Sequence, residues 1–251
     1  LGLYLSRIIP LLGGIGLALD AGLRRRVYLG AALLLCAVSL LSGSRGNWIA
    51  LGVAAVLVAL LTRRFRWLVP AAAAGVLSLL AMIATGQNRL ATLFRTGRGS
   101  GDTRERLWRA AIAEIRREPL FGRGLGDVGW MRRYIPAKRL ASTELVDAHN
   151  LFLDFWTKLG LLGLASILWL VAAFYWVAWG VYRRGERTDR VVAIGLMAAM
   201  TGAVVHGMLD AFYFGLQLAV LFWFSLGVVE VLARREARLP RRCAGRGPYG
   251  P

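Results

Sequence analysis

Long apolar blocks alternate along this chain with short arginine clusters, and the clusters fall at every second boundary. The blocks run from about Tyr4–Leu19, Val27–Leu41, Trp48–Leu61 and Trp67–Ala84 to Leu159–Val181, Val191–His206 and Leu216–Leu232. Arg24-Arg25-Arg26, Arg63-Arg64-Phe65-Arg66, Arg183-Arg184 with Arg187 and Arg190, and the run from Arg234-Arg235 onward occupy alternate ends. Ser42–Asn47, the long segment Thr85–Asn150 and Gly207–Gly215 occupy the others. Short loops rich in Lys and Arg stay on the cytoplasmic side of a membrane, so one rule places every block as a span with those three segments outside. The predicted fold class is an all-α polytopic membrane protein with about seven transmembrane helices and one large outer loop containing an amphipathic helix. Residues 1–84 supply four helices and the first outer turn, and residues 85–150 supply the loop, with its helix at 103–118. Residues 151–233 supply three more helices, and 234–251 form a basic cytoplasmic tail expected to be disordered.

Composition agrees. The chain is 57% hydrophobic, with a mean hydropathy of +0.54, too apolar for an ordinary soluble domain. Its 32 Lys and Arg outnumber 14 Asp and Glu, a formal net charge of +18. In a soluble protein that excess would suggest nucleic acid. Here the arginines are sorted by side of the membrane, so no nucleic-acid partner is expected. Trp48, Trp67, Trp130, Trp176 and Trp179 lie near block ends, as interfacial tryptophans do. Cys36 lies inside an apolar block and Cys243 in the basic tail, which argues against a disulfide framework or a zinc site. The chain begins at Leu1 without a cleavable signal pattern, so a fragment starting partway through a longer protein is expected.

The outer segments carry the polar chemistry. The blocks flanking SGSRGN would each reach only about 21–23 Å as helix, against a hydrocarbon core of about 30 Å. The turn must therefore sit low, near the outer interface, with Arg45 near the depth of lipid phosphates. Irregular backbone at that depth must be buried in protein or line a wet cavity.

In the outer loop, DTRERLWRAAIAEIRRE (Asp102–Glu118) reads as one amphipathic helix, with Asp102 as N-cap, Glu105 three residues on, and Pro119 ending the pattern. Leu107, Trp108, Ala111, Ile112 and Ile115 share a face; Arg106, Arg109, Arg116 and Arg117 fall opposite. Arg104 projects into the apolar face, where it must snorkel past the helix end or meet an anion. The basic loop as a whole suits either an anionic partner, such as lipid headgroups or a phosphorylated substrate, or a solvated face.

PLFGRGLGDVGW (Pro119–Trp130) has no preceding strand and no following Lys-Ser/Thr, so it reads as a flexible turn and not a nucleotide loop. Arg123 is a candidate extra anion contact. In DAHNLFLDFW, Asp147 or Asn150 can cap the helix entering the next span, which puts His149 at the outer mouth. His149 is then either a polar interface residue or a general base, since imidazole titrates near neutrality. In VVHGMLDAFYFG, His206 and Asp210 are one helical turn apart and form either a polar pair or the hydrophilic cap of a hairpin; the cap is favoured.

SGSRGNWIAL between two spans, TRERLWRAAIAEIRREPLFGRGLG in a large outer loop and AHNLFLDFWTKLGLLG opening a span together resemble the O-antigen ligase and polymerase superfamily. HGMLDAFYF is similar to that family's last outer turn, and the resemblance covers roughly Val27 to Leu232. Its members are bacterial inner-membrane glycosyltransferases, usually with several spans before this region. The resemblance implies that Arg45 and Arg104 bind the diphosphate of an undecaprenyl-diphosphate-linked glycan donor. It also implies that His149 activates the hydroxyl of the acceptor, either lipid A-core or a growing glycan. The outer loop would then be periplasmic, with Arg123, Asn150, His206 and Asp210 in supporting places. Arginine forks suit a leaving diphosphate, and no acidic cluster suited to a metal is visible, so metal-independent, inverting transfer without a cofactor is expected. Membrane lipids complete the expected surroundings. One departure is Lys158, at a position often acidic in the family, which leaves in doubt any role of that acid. Protein O-oligosaccharyl transfer is the neighbouring alternative. A transporter or flippase of an anionic lipid is the rival of a different class; it would be expected to carry ionisable residues at span centres, which here are mostly Leu, Ala and Val.

Overall fold

The computed structural model describes residues 1–42, 44–69, 100–125, 131, 133–134, 147–210 and 216–238, and the side chains of most of these. Every regular element among the described residues is helical. In chain order they are α1 (Gly2–Ala18), α2 (Leu23–Ser42), α3 (Arg45–Thr62), a 3-10 turn (Phe65–Trp67), α4 (Ser100–Arg117), α5 (Leu151–Arg184), α6 (Arg187–Gly207) and α7 (Leu216–Arg238). Of the expected spans, α5 and α6 are long and apolar enough to cross a bilayer, and α1 and most of α3 are apolar but shorter. The expected span Trp67–Ala84 lies almost entirely outside the described residues. So do Asp127, Trp130 and the tail beyond Arg238; α7 itself runs past Arg234.

Helix ends differ from the hydropathy blocks for physical reasons. α3 begins at Arg45, ahead of its apolar run, because Ser44 caps it: the Ser44 hydroxyl accepts the Asn47 amide at 3.4 Å. Arg45 thus belongs to the helix, and its side chain lies outside what the structure describes. α4 begins at Ser100, so Asp102 lies inside the helix and is not its N-cap. Asn150, not Asp147, caps α5, its Oδ1 accepting from Phe152 and Leu153 at 3.0 and 3.1 Å.

α6 is the central helix, packed against α1, α3, α5 and α7. Small residues let α1 approach it. A Cβ on Gly195 would meet Ile15 at 2.6 Å, and one on Gly202 would meet the Ser6 carbonyl oxygen at 1.8 Å. That carbonyl lost its usual helical donor because Pro10 has no N–H. The largest core joins Leu151, Phe155, Ile167 and Phe174 of α5 to Met197 and Met200 of α6 and Leu218, Phe222 and Val229 of α7.

The basic clusters gather at one end of the bundle. Arg64 donates to Leu17 O at 2.6 Å, Arg187 pairs with Asp20, and Arg235 lies 3.5 Å from Asp189. Arg184 reaches Glu236 at 3.1 Å. SGSRGN, the AHN segment and the turn after α6 gather at the other end.

α5 is interrupted. Its 34 residues would reach about 51 Å as one helix, against a core of about 30 Å, but Gly160 has φ 67 and ψ −162. The glycine-rich turn after α4 fills the break. Leu161 N donates to the carbonyls of Pro119 and Leu120 at 3.0 and 3.1 Å, while Arg123 N and Gly124 N donate to Thr157 O and Lys158 O, both at 2.8 Å. The expected flexible turn is therefore a backbone latch that satisfies groups freed by the interruption. Only glycine fits at its centre: a Cβ on Gly160 would meet Leu120 O at 2.0 Å, and one on Gly122 would meet Gly160 N at 2.5 Å.

Candidate functional site

Three segments meet at the end of α6 away from the basic clusters. A Cβ on Gly46 would lie 3.0 Å from Cδ2 and 3.1 Å from Nε2 of His206, so the start of α3 rests directly on that ring. A Cβ on Gly2 would meet His206 Cε1 at 3.3 Å and the Ser44 hydroxyl at 2.9 Å, which brings the N-terminus of α1 to the same place. Beneath the turn, the Asn47 amide donates to the Ser39 hydroxyl, tying α3 to α2 where both side chains are fully buried.

The AHN segment approaches from the α5 side. His149 Nδ1 lies 2.9 Å from Asp210 Oδ1, with about a quarter of each side chain exposed. Asn150 Nδ2 donates to Met208 O at 3.0 Å, a second tie to the turn after α6. His149 has φ 48, a left-handed conformation that is uncommon outside glycine and persists where the surroundings enforce it. Asp210 thus pairs with the distant histidine and not, as its sequence spacing suggests, only with His206, although its charge also acts on the His206 ring. His206 is 4% exposed. It is a buried wedge, not the hydrophilic cap of a hairpin.

α4 packs against the same mouth. Leu107, Ala110 and Ala111 are buried against Met131 and Ala148, so the amphipathic helix packs beside His149. Ile115 is buried as its spacing predicts, whereas Ile112, expected on that face, is 42% exposed. Arg106, Arg109, Arg116 and Arg117 are exposed, and Arg109 pairs with Glu105. Arg104 faces inward: its Nε is buried and has no hydrogen-bond partner among the described residues, and its charge acts on His206.

Arg123 is engaged by a carboxylate. It binds Glu114 through Nε and a terminal nitrogen, Tyr134 donates to the same carboxylate at 2.8 Å, and Arg133 stands 3.8 Å away. Burial pushes the Glu114 pKa up, but the hydrogen bonds from Tyr134 and Arg123 and the charges of Arg123 and Arg133 outweigh it and hold the carboxyl below its usual range.

A family model for the O-antigen ligases matches residues 29–168. The chain belongs to that family. The match takes in Arg45, Arg104, Arg123, His149 and Asn150 and stops short of His206 and Asp210, which the fold brings to the same mouth. The chain is also 25% identical over 221 residues to an uncharacterised protein of Haemophilus influenzae, covering 78% of this chain and 53% of that one. It therefore spans about half the length of that relative.

Sequence reasoning missed Arg7 at this mouth. Arg7 lies in α1, is 5% exposed, donates to Leu218 O at 3.2 Å, and its charge acts on His206. The signal was available: an arginine inside the first apolar block is costly at such a depth and for that reason is a functional candidate.

Proposed function

We propose that this mouth is the active site of a glycan transferase that uses undecaprenyl diphosphate as carrier and acts at the periplasmic face of the bacterial inner membrane. In this reading the chain contributes about seven spans to a multi-pass protein, with the large loop carrying α4 outside. The acceptor hydroxyl belongs to lipid A-core in O-antigen ligation or to a growing glycan in polymerisation. The observation that carries the reading is the His149–Asp210 pair beside the SGSRGN turn.

With the Asp210 carboxylate accepting Nδ1–H, the imidazole lone pair falls on Nε2, the geometry of an oriented general base. Nε2 takes the hydroxyl proton as the acceptor oxygen attacks the anomeric carbon. The bond from that carbon to the phosphate oxygen breaks, and the diphosphate leaves with the electron pair. A single displacement of this kind inverts the anomeric configuration. Arg104 and Arg45 stabilise the charge that develops on the diphosphate without a metal, and the N-terminus of α3 in the same turn adds to the attraction. Arg123 serves the site by holding Glu114.

The test uses purified full-length protein with undecaprenyl-diphosphate-linked glycan and, as acceptors, lipid A-core, a growing glycan and a polypeptide, without added metal. Transfer to one of them is expected, and Arg104→Ala lowers kcat/KM by about 10²-fold, the scale for losing one charge-stabilising donor. Undiminished transfer in Arg104→Ala would sink the diphosphate assignment. Carrier lipid crossing vesicles while no acceptor is glycosylated would favour a transporter.

A further inference from the structure

Lys158 is out of place by ordinary rules. Its side chain is 7% exposed and lies between two acids: Nζ is 2.5 Å from Asp147 Oδ1 and 2.8 Å from Asp154 Oδ2. Asp154, 1% exposed, uses its other oxygen to accept the Ala148 amide at 3.2 Å. One ammonium therefore ties down both residues preceding His149, Asp147 directly and Ala148 through Asp154. Asn150, on the other side of His149, is fixed as the N-cap of α5 and by its bond to Met208 O. The backbone at Lys158 is itself held from outside, because its carbonyl accepts Gly124 N from the glycine latch.

A left-handed non-glycine residue needs anchors on both flanks to stay in that conformation. His149 has them, and upstream they converge on Lys158. Burial of Lys158 and Asp154 at one point is expensive and is tolerated where the two are paired. We propose that Lys158 is a positioning residue for the transfer reaction: through Asp147 and Asp154 it holds His149 in its left-handed conformation with Nδ1 on Asp210. A carboxylate at position 158 would repel Asp147 and Asp154 instead of bridging them. The kinetic part of this inference rests on His149 being the base; the structural part does not.

Two variants of the full-length protein test it. Lys158→Met removes the tie but leaves Asp154 buried and uncompensated. Lys158→Met with Asp154→Asn removes the tie without leaving that charge, so it guards against simple misfolding. Both are expected to lower kcat by about 10²-fold, the scale for misplacing a reacting group by an ångström, with donor KM unchanged. A second readout needs no glycan. The chain has 2 histidines, so diethyl pyrocarbonate labelling followed by mass spectrometry reports each separately. Both variants should raise the labelling rate of His149 relative to His206, whereas general unfolding would raise both. Wild-type kcat in the double variant, or an unchanged His149/His206 labelling ratio, overturns the proposal. If the wild type transfers no glycan, the function proposed above fails, and the labelling ratio alone decides whether Lys158 positions His149.

Discussion

The two histidines share a mouth and the charge of one aspartate but occupy opposite environments. His149 stands at a helix entrance, partly exposed, in a left-handed conformation, with Nδ1 on Asp210. His206 lies within α6, almost fully enclosed, under the first turn of α3 and the start of α1. A partly exposed, oriented imidazole can exchange a proton with a substrate; an enclosed one wedged between glycines can only shape the turn above it. Under the proposed function the difference divides the labour: chemistry on the α5 side of the mouth, and seating of the SGSRGN turn on the α6 side.

The largest expected effect tests that division directly. His149→Ala should lower kcat by about 10²–10⁴-fold, the usual contribution of a general base, with donor binding little changed. His206→Ala should instead raise donor KM, because the turn bearing Arg45 loses its support, while kcat falls much less. Steady-state kinetics on both variants check this. Equal losses of kcat would erase the distinction.

A smaller effect probes the contact itself. Gly46→Ala places a methyl 3.0 Å from His206 Cδ2 and 3.5 Å from Leu209 Cβ, tight enough that the ring must give way. Donor KM should rise several-fold, and adding His206→Ala should recover part of the loss because the clash disappears. Residues in contact couple non-additively, so a double-mutant cycle measures the contact. Simple additivity would mean that the turn does not rest on His206.

Much of this architecture could be read from the chain because it follows from period and charge. The spacing of Leu107, Ala111 and Ile115 gave α4 its buried face, and the arginine clusters that alternate in sequence do meet at one end of the bundle. What stayed hidden depends on partners distant in sequence. Local spacing pairs Asp210 with His206, yet its hydrogen bond goes to a residue 61 positions away. The glycines of PLFGRG look like slack until the break at Gly160 supplies the groups they bond. The start of α3 was misjudged because hydropathy stops at the first polar residue, whereas the Ser44 cap sets where the helix begins. Arg7 was overlooked for the opposite reason, a single charge averaged into an apolar block.

The smallest expected effect separates the two histidine regions by pH. The Glu114 carboxyl is held below its unfolded value, so its contribution is fully present above the unfolded carboxylate pKa of about 4.5 and is lost as pH falls through the lower folded value. What is lost is the hold on Arg123, whose backbone amide anchors Thr157 in α5, the helix that His149 precedes. Hydrogen-exchange protection, corrected for intrinsic rates, should therefore fall in residues 119–124 and 151–159 on acidification before it falls around His206. Glu114→Gln should leave those segments less protected at neutral pH and remove this part of their acid sensitivity. If α6 lost protection first, the latch would not be the His149 side's own support, and the two halves of the mouth would stand or fall together.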